Sequence, residues 1–476
     1  MGRTRLFLAS IGLRTSEFPV ITPPLGILSL SAYLRARMPL DIKLLDQRLD
    51  NTSSDAIVRA AADFNADVIG FGALTPFAPL LSELVQKARK ALPNALIVLG
   101  GPHVTGFGAG VMDDVPLADM LIAGEGELAL EQVLRARADG SGYGHIPGLV
   151  WRNASGEITI NPGTTPMLDE LNALPFFAYD LIDLSKYWRH EAMANVPPRK
   201  YIGLFSSRGC PYRCIYCHRI FGKRFRAQTA ERVIAEIEHL QKTYGVHEIE
   251  FYDDIFNQDT RRMMDFCDMA LRHNLKLRIA FPNGIRGDTL TTEMIDALVD
   301  AGMYYTCCPL ESGSPKIQKY MEKNLDIPRF LAGVDKLVSR RVFTYGLAML
   351  GFPTETEDDI KQTIDVICNS SVHLASFFTV TPYPNTELYD RVMQTHPEKL
   401  GGFVYRGFPS NMVNLSEVPD RVLYAYQRKA LRRFFFNPIR MARLASVYPN
   451  PLYLPRYVPM LARQLVKGLF AKSSSG

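Results

Sequence analysis

The stretch Cys210-Pro-Tyr-Arg-Cys214-Ile-Tyr-Cys217 places three thiols within eight residues, directly after the apolar run Tyr201–Ser207. Thiolates bind soft metals and iron–sulfur clusters, and an ordinary four-iron cluster uses four cysteines. Three cysteines would leave one iron without a protein ligand, so this iron could bind a substrate or a cofactor. The stretch therefore predicts a [4Fe-4S] cluster with one open corner.

Two other interpretations of the three thiols are weaker. A zinc site would need a fourth ligand, and His218 directly follows Cys217. Zinc knuckles usually pair two short Cys/His hairpins, however, and no second pair of cysteines lies nearby. A disulfide framework does not suit seven cysteines in 476 residues without a signal peptide.

The cysteine motif resembles that of the radical S-adenosylmethionine (SAM) enzymes. The resemblance implies that Cys210, Cys214 and Cys217 hold the cluster. It also implies that the open iron binds the amino and carboxylate groups of SAM. One electron then cleaves SAM to methionine and a 5′-deoxyadenosyl radical, so an electron donor such as flavodoxin or ferredoxin is an expected partner.

Length and composition limit the class of protein. A chain of 476 residues predicts two or three domains, and 47% hydrophobic with 22% charged residues is typical of soluble globular proteins. The net charge of +5 is mild and does not by itself indicate nucleic acid, which is not an expected partner. No stretch is long enough to span a bilayer. With the free thiols and an oxygen-sensitive cluster, these features predict a cytoplasmic protein.

The first third of the chain alternates short apolar runs with helical patterns. Such alternation predicts an α/β fold with a doubly wound, Rossmann-like parallel sheet, which binds ligands beyond the carboxyl ends of its strands. The predicted strands are Arg3–Ser10, Leu40–Asp46, Asp67–Gly72, Ala95–Gly101 and Ala118–Ala123. The predicted helices are Leu25–Arg37, Ser53–Phe64, Pro79–Leu92 and Glu127–Arg137, with a shorter one near Gly106–Asp113.

Three motifs in this third resemble the cobalamin-binding domain of B12-dependent radical SAM enzymes. They are Pro23-Pro24-Leu25-Gly26, Gly100-Gly101-Pro102-His103 and Gly124-Glu125-Gly126-Glu127. The order of these motifs ahead of the cysteines makes the set more specific than any one of them. The cobalamin contacts implied by the resemblance are Leu25, Thr75, Pro76, Gly100, Gly101, His103, Glu125 and Gly126.

The N-terminal third departs from many cobalamin proteins in one respect. Those proteins use Asp-x-His-x-x-Gly in the first strand–helix loop to give cobalt a histidine ligand. The loop from Ile11 to Pro24 contains no histidine. We therefore expect cobalamin to bind without its own base and without a protein histidine on cobalt, and His103 to form hydrogen bonds rather than ligate cobalt.

Strand–helix alternation resumes after a connector that contains a predicted hairpin at Gly148–Ile160. Six strand–helix units predict a partial (β/α)₆ barrel, the fold that the resemblance also implies. The predicted strands are Tyr201–Ser207, Glu248–Asp253, Lys276–Phe281, Tyr304–Cys308, Val342–Leu350 and Leu374–Thr381. The predicted helices are Ala227–Tyr244, Thr260–Arg272, Thr292–Ala301, Ile327–Arg340 and Glu355–Cys368.

The expected domain divisions are 1–140 for cobalamin binding, 141–199 for the connector, 200–390 for the barrel and 391–476 for a helical C-terminal segment.

The carboxyl ends of the barrel strands carry polar residues, where active residues of such barrels belong. Because SAM carries a sulfonium, an ammonium and ribose hydroxyls, carboxylates and hydroxyls are expected to face it. The SAM contacts implied by the resemblance are Tyr216, Asp253, Asp254, Arg286, Glu311, Ser312 and Pro353. For Asp254 and Glu311 a role as a helix cap or salt-bridge residue stays open, and Tyr216 could equally be packing.

The C-terminal segment from Arg421 to Lys472 is basic, rich in aromatic residues and helical in pattern. Such a segment could lie on an acidic membrane surface as a peripheral contact. It could also form a small helical domain that covers the barrel mouth and helps to bind substrate. We expect the second arrangement.

The resemblance implies a cobalamin-dependent radical SAM enzyme. The commonest reaction of that subfamily is methylation of an unactivated carbon, here of a small-molecule, lipid-like or natural-product substrate. Three alternatives stay open: ring formation or rearrangement without methyl transfer, a cobalamin sensor without catalysis, and tRNA modification. The sequence disfavours the sensor because the open iron would then serve no purpose, and the mild charge weighs against tRNA.

Overall fold

The computed structural model describes residues 3–16, 18–406, 413–459 and 461–462. The chain folds into one mainly parallel and one parallel sheet, each flanked by helices, followed by a helical C-terminal segment. Both predicted parts of the α/β fold are therefore confirmed. Within the described ranges, no helix is long and apolar enough to cross a membrane.

The first sheet has seven strands in the order β2-β1-β3-β4-β5-β6-β7. Strands β1 to β5 are parallel, and their continuous apolar runs reflect burial on both faces, as in Leu6, Phe7 and Leu8 of β1. The elements are β1 (Thr4–Ile11), α1 (Leu25–Arg35), β2 (Leu40–Asp46), α2 (Gln47–Asp50), α3 (Ser54–Asp63), β3 (Val68–Ala73), α4 (Pro79–Ala91), β4 (Leu96–Gly100), α5 (Gly101–Phe107), α6 (Val111–Asp114), β5 (Met120–Leu121), α7 (Glu127–Asp139), β6 (Val150–Arg152) and β7 (Ile158–Ile160).

The predicted hairpin is confirmed as β6 and β7, but it does not stand apart in the connector. Strand β6 pairs antiparallel with β5, through Met120 with Trp151 and Leu121 with Val150. The hairpin therefore extends the edge of the first sheet. The rest of the connector contains one short α-helix, α8 (Leu184–Tyr187), and two 3₁₀ turns, Leu171–Ala173 and Tyr179–Leu181.

The second sheet has six parallel strands in sequential order from β8 to β15, as a partial (β/α)₆ barrel requires. A separate two-stranded ladder, β9 with β10, lies between β8 and the first long helix. The elements are β8 (Ile202–Leu204), β9 (Ser207–Arg208), β10 (Arg226–Ala227), α9 (Ala230–Tyr244), β11 (Glu248–Phe251), α10 (Thr260–Arg272), β12 (Arg278–Phe281), α11 (Thr292–Asp300), β13 (Met303–Glu311), α12 (Pro315–Tyr320), α13 (Ile327–Ser339), β14 (Phe343–Leu350), α14 (Glu357–Asn369), β15 (Leu374–Thr379) and α15 (Glu387–Thr395).

The prediction that the C-terminal segment covers the barrel mouth is wrong for the helices that the structure describes. Helix α16 (Asp420–Phe435) packs outside the sheet against α14 and β15. Helix α17 (Pro438–Val447) closes the opposite end, because Arg440 donates to the carbonyls of Cys368 and Ser370, which precede β15. Residues 463–472 of the predicted segment lie outside the described residues.

The position of α17 follows from its apolar residues. Leu444, together with Tyr448 just beyond the helix, packs in one cluster with Tyr305 and Phe343 on the inner face of the barrel sheet. The rings of Tyr448 and Phe343 lie 5.6 Å apart, and Phe343 is the first residue of β14. Helix α17 and Tyr448 therefore fill the amino-terminal end of the barrel, opposite the carboxyl ends of its strands.

Candidate active site

The three predicted cluster ligands lie on one loop, residues 209–225, which joins β9 to β10. Gly209 opens this loop with a φ of +83°, and a Cβ there would lie 2.3 Å from the carbonyl oxygen of Arg224, so only glycine fits. Ile215 is fully buried and holds the loop centre, because its N–H donates to Met321 and its carbonyl accepts from Leu388. The positions of the flanking cysteines are thereby fixed.

Cys210, Cys214 and Cys217 are free and partly buried. Burial raises the pKa of Cys217 to about 12 and also raises that of Cys210. Among the described residues, no three or more His, Cys, Asp or Glu side chains converge closely enough to hold a single metal ion. The zinc interpretation therefore gains no support. A cluster takes one thiolate on each iron and does not need ligands that converge on one point.

A cavity of about 530 Å³ lies between the two domains. Its walls come from the carboxyl ends of β1, β3 and β4 in the first sheet and from the loops after β8 and β11 in the second. His218 and Ile220 of the cluster loop line the same space. The ligand-binding ends of both sheets therefore face one cavity, as expected for α/β sheets.

Five of the predicted cobalamin contacts line this cavity: Leu25, Gly100, Gly101, Glu125 and Gly126. Thr75 and Pro76 lie in the turn that follows β3, outside the lining, although the neighbouring Leu74 belongs to it. His103 also lies outside the lining. Its ring packs against that of Phe107 at 4.6 Å, and burial lowers its pKa.

Two glycines of β3 open the first-domain wall, and neither is among the predicted cobalamin contacts. Gly70 and Gly72 alternate with Phe71 and Ala73, which pack on the other face of the sheet. A Cβ on Gly72 would approach no atom closer than 3.9 Å, so this position borders open space. Alternate glycines in an otherwise apolar strand are the sequence signal that would have identified this wall.

The structure brings one predicted SAM contact to the cavity directly. Asp254 lines it and accepts a hydrogen bond from the N–H of Gly209 at 3.1 Å, with His218 3.7 Å away. Asn283 lines it too. Asp253 is buried and points elsewhere, because its carboxylate accepts from the backbone and hydroxyl of Ser206 at 2.6 Å.

The other predicted SAM contacts lie around the cluster loop. Most of their side chains already contact other protein groups. The ring of Tyr216 lies 5.9 Å from that of Phe352, next to Pro353 after β14. The carboxylate of Glu311 is 3.3 Å from the Lys323 ammonium. The remaining two contacts are Ser312, hydrogen-bonded to Thr363, and Arg286, paired with Asp288 and stacked on Tyr212.

Two families match the chain: the B12 binding domain over residues 13–134 and the Radical SAM superfamily over residues 204–367. An uncharacterized methyltransferase of Pyrococcus horikoshii is 29% identical over 370 residues, 77% of this chain and 78% of that protein. An anaerobic magnesium-protoporphyrin IX monomethyl ester cyclase of Rubrivivax gelatinosus is 22% identical over 424 residues, 87% of this chain and 74% of that protein.

The chain is also similar to a solved structure of the cobalamin-dependent S-adenosylmethionine radical enzyme OxsB, with aqua-cobalamin and S-adenosylmethionine bound. The TM-score is 0.76 at 16% identity, over 96% of this chain and 72% of that chain. Fold and site together define a radical SAM enzyme with a B12-binding domain. The chain belongs to the cobalamin-dependent radical SAM enzymes, which confirms the resemblance drawn from its motifs.

Proposed function

We propose that the protein is a cobalamin-dependent radical SAM methyltransferase that methylates an unactivated carbon of a small-molecule or lipid-like substrate. The observation that carries this proposal is the single cavity, which is bordered by the cluster loop on one side and the B12-binding strand ends on the other. Two reactive groups that act on one substrate carbon must share such a space.

The residues present fit the three cofactors. The partly buried thiols of Cys210, Cys214 and Cys217 suit a [4Fe-4S] cluster, and the carboxylate of Asp254 suits the ammonium of SAM. Cobalamin would fill the space that Gly72 leaves beside β3. When bound, these groups supply a 5′-deoxyadenosyl radical and a transferable methyl group.

The first-domain wall of the cavity would hold an apolar part of cobalamin. Leu8, Val98 and Leu130 line the space between the sheet and the helices α1 and α7, and this surface is apolar. An aromatic ring of the cofactor would be buried favourably there. The loop from Ile11 to Pro24 contains no histidine.

The protein side chains also exclude water from the reaction. Phe205 and Phe221 line the second-domain wall with their rings 5.7 Å apart, and Ile220 lies beside them. A dry apolar wall protects a carbon radical from side reactions and strengthens the polar contacts made by Asp254.

The inner face of the barrel supports an apolar substrate. Tyr345 and Leu347 of β14 belong to the inner-face cluster and are only partly buried. Ser376 of β15 is hydrogen-bonded to the Tyr345 hydroxyl at 2.6 Å and is also partly exposed. A largely apolar surface with one pair of hydroxyls suits a lipid-like or natural-product scaffold that carries few polar groups.

The test uses SAM with a deuterated methyl group, cobalamin that carries no methyl group and a chemical reductant, incubated anaerobically with metabolite and lipid extracts. Mass spectrometry should find a product in which one hydrogen is replaced by a labelled methyl group. The protein should also form 5′-deoxyadenosine, and Cys214→Ala should abolish both products. Cys368→Ala, which changes a buried helix cysteine outside the loop, is the matched control.

Ring formation is the second candidate, because the cyclase of Rubrivivax gelatinosus aligns with 87% of this chain. The same experiment separates the two reactions, since methylation adds a deuterated methyl group to the product and cyclisation does not. A cytoplasmic location and flavodoxin or ferredoxin as the electron donor stay predictions that rest on the oxygen-sensitive cluster.

A further inference from the structure

A buried ionic network joins the two domains beneath the cluster loop. Arg208 and Arg226 come from the second domain, and Glu125 and Glu127 from the first. Their side chains are 8%, 4%, 1% and 5% exposed, respectively. Charged side chains are seldom buried to this extent unless they are fully paired.

Both arginines stand at the base of the loop that carries the cysteines. Strands β9 and β10 pair antiparallel, and this ladder sets Arg208 directly opposite Arg226. Residues 209–225 run between them, and Cys210 follows Arg208 by two positions. Any contact that fixes these arginines also fixes the point from which the loop leaves the sheet.

The contacts of Arg208 reach across to the first domain. One guanidinium nitrogen donates to Glu125 at 2.9 Å, and the other donates to Glu127 at 2.6 Å and to the hydroxyl of Ser29 at 3.0 Å. Arg226 completes the set by donating to the second oxygen of Glu125. Each carboxylate is therefore held from the second domain.

The acidic residues belong to the cobalamin side of the cavity. Glu125 lies between Gly124 and Gly126 in the loop after β5, and all three residues line the cavity, as does Glu127. Ser29 lies on α1, whose first residue, Leu25, is a predicted cobalamin contact. The network thus ties the first-domain wall to the stem of the cluster loop.

Burial makes this tie far stricter than the exposed ion pairs that join each domain to the connector. Arg35–Asp180 and Arg224–Asp169 also link the connector to its neighbours, but both pairs are largely exposed, and exposed pairs constrain geometry weakly. A shift of the loop stem would instead leave a buried charge without its partner, which is strongly unfavourable.

We propose that Arg208 is a positioning residue that sets the distance between the iron–sulfur cluster and cobalamin through Glu125 and Glu127. The inference rests on the proposed function, because it takes both cofactors to be bound. Radical transfer and methyl transfer at one carbon require both cofactors at fixed places. Arg208 has no contact with the reacting atoms in this role.

The test measures the distance between the two cofactors rather than turnover. The holoprotein is reduced to cob(II)alamin and a paramagnetic cluster, and pulsed dipolar electron paramagnetic resonance gives the distribution of distances between the two spins. We expect one narrow distribution for the unmodified protein. The paired variant R208M/E127Q removes both charges of one pair and should shift or broaden the distribution in molecules that hold both cofactors.

Two further variants make the test decisive. R35M/D180N removes an exposed ion pair and should keep the narrow distribution. R208K keeps the buried charge but cannot donate to both carboxylates in the same geometry, so it should broaden the distribution. If the paired variant does not fold, R208K decides the question. A distribution in R208K and R208M/E127Q with the same mean distance and the same width as in the unmodified protein would overturn the inference. Failure of the unmodified protein to bind either cofactor would instead overturn the proposed function.

Discussion

At the scale of single residues, Gly72 offers the most direct test of the cobalamin wall. A leucine there would extend from β3 into the cavity, since no atom lies closer than 3.9 Å to the added Cβ. The fold should survive, but filling space that a ligand needs costs about 1–3 kcal/mol. We therefore expect Gly72→Leu to weaken cobalamin binding about tenfold or more, as measured by equilibrium titration of the corrin absorbance.

Gly110→Leu is the matched control for this substitution. Gly110 is exposed and lies outside the cavity, and a Cβ added there would meet no atom within 4 Å. The cobalamin affinity of this variant should equal that of the unmodified protein. Equal affinities for Gly72→Leu and Gly110→Leu would show that β3 does not border the cofactor.

Glu355, in the loop after β14, predicts a pH dependence of stability. Burial raises the pKa of this carboxyl from 4.5 to about 8, against the opposing effect of the Gly351 and Phe352 N–H groups. The folded state binds this proton more tightly than the unfolded state does. The protonated carboxyl therefore stabilises the fold at low pH, and this stabilisation is lost as the pH rises from 4.5 to about 8. The shift corresponds to at most about 5 kcal/mol.

Glu355→Gln keeps an oxygen for the two backbone donors and removes the titration. The unmodified protein should therefore lose melting temperature relative to Glu355→Gln between about pH 5 and about pH 8. Glu357→Gln, an exposed carboxylate in the same segment, is the control. If the difference in melting temperature between the unmodified protein and Glu355→Gln stays constant across this pH range, the raised pKa of Glu355 is contradicted.

The sequence predicts residues that act through their chemistry, but not those that act through contacts made across the fold. Three cysteines at short spacing have few other uses, so the cluster loop is evident. Arg208 and Arg226 are far apart in sequence from Glu125, and nothing local marks them as its partners. The strand-end position of Asp253 predicts a SAM contact, whereas the structure shows its oxygens held by Ser206.

At the scale of elements, the parallel strands are predictable because their apolar runs are continuous. The strand β15 and the helix α10 begin where the sequence places them. The sequence reasoning misses the short helices α2, α12 and α15, since they span four, six and nine residues and depend on tertiary contacts more than on periodicity. The sequence also does not predict the end of the barrel at which α17 packs, because an amphipathic basic helix fits either end.

Arg440 tests the assignment of α17 to the amino-terminal end of the barrel. Arg440→Met would leave the buried carbonyls of Cys368, Ser370 and Val372 without their donor. Each unsatisfied buried group costs about 1–3 kcal/mol, so we expect the three together to lower the free energy of unfolding by about 3–9 kcal/mol. Formation of 5′-deoxyadenosine per folded molecule should not change, because α17 lies opposite the cavity.

Arg433→Met provides the control from the same segment. Arg433 pairs with Asp365 on the surface, with side chains 40% and 56% exposed, and such pairs contribute at most about 1 kcal/mol. A larger loss for Arg433→Met than for Arg440→Met would contradict the packing described for α17.

At the scale of the whole molecule, the proposed chemistry depends on one open iron facing the cavity between the domains. The loop 209–225 supplies three thiols, one fewer than the four that an ordinary four-iron cluster uses. Asp254 and Asn283 line the space where SAM would reach that iron. Binding of SAM should therefore change the electronic environment of the cluster directly.

The most direct test is the electron paramagnetic resonance spectrum of the anaerobically reconstituted and reduced protein, recorded with and without SAM. We predict a four-iron cluster whose signal shifts when SAM is added, because SAM binds the free corner. A spectrum that SAM leaves unchanged, or a protein that holds no four-iron cluster, would contradict this prediction.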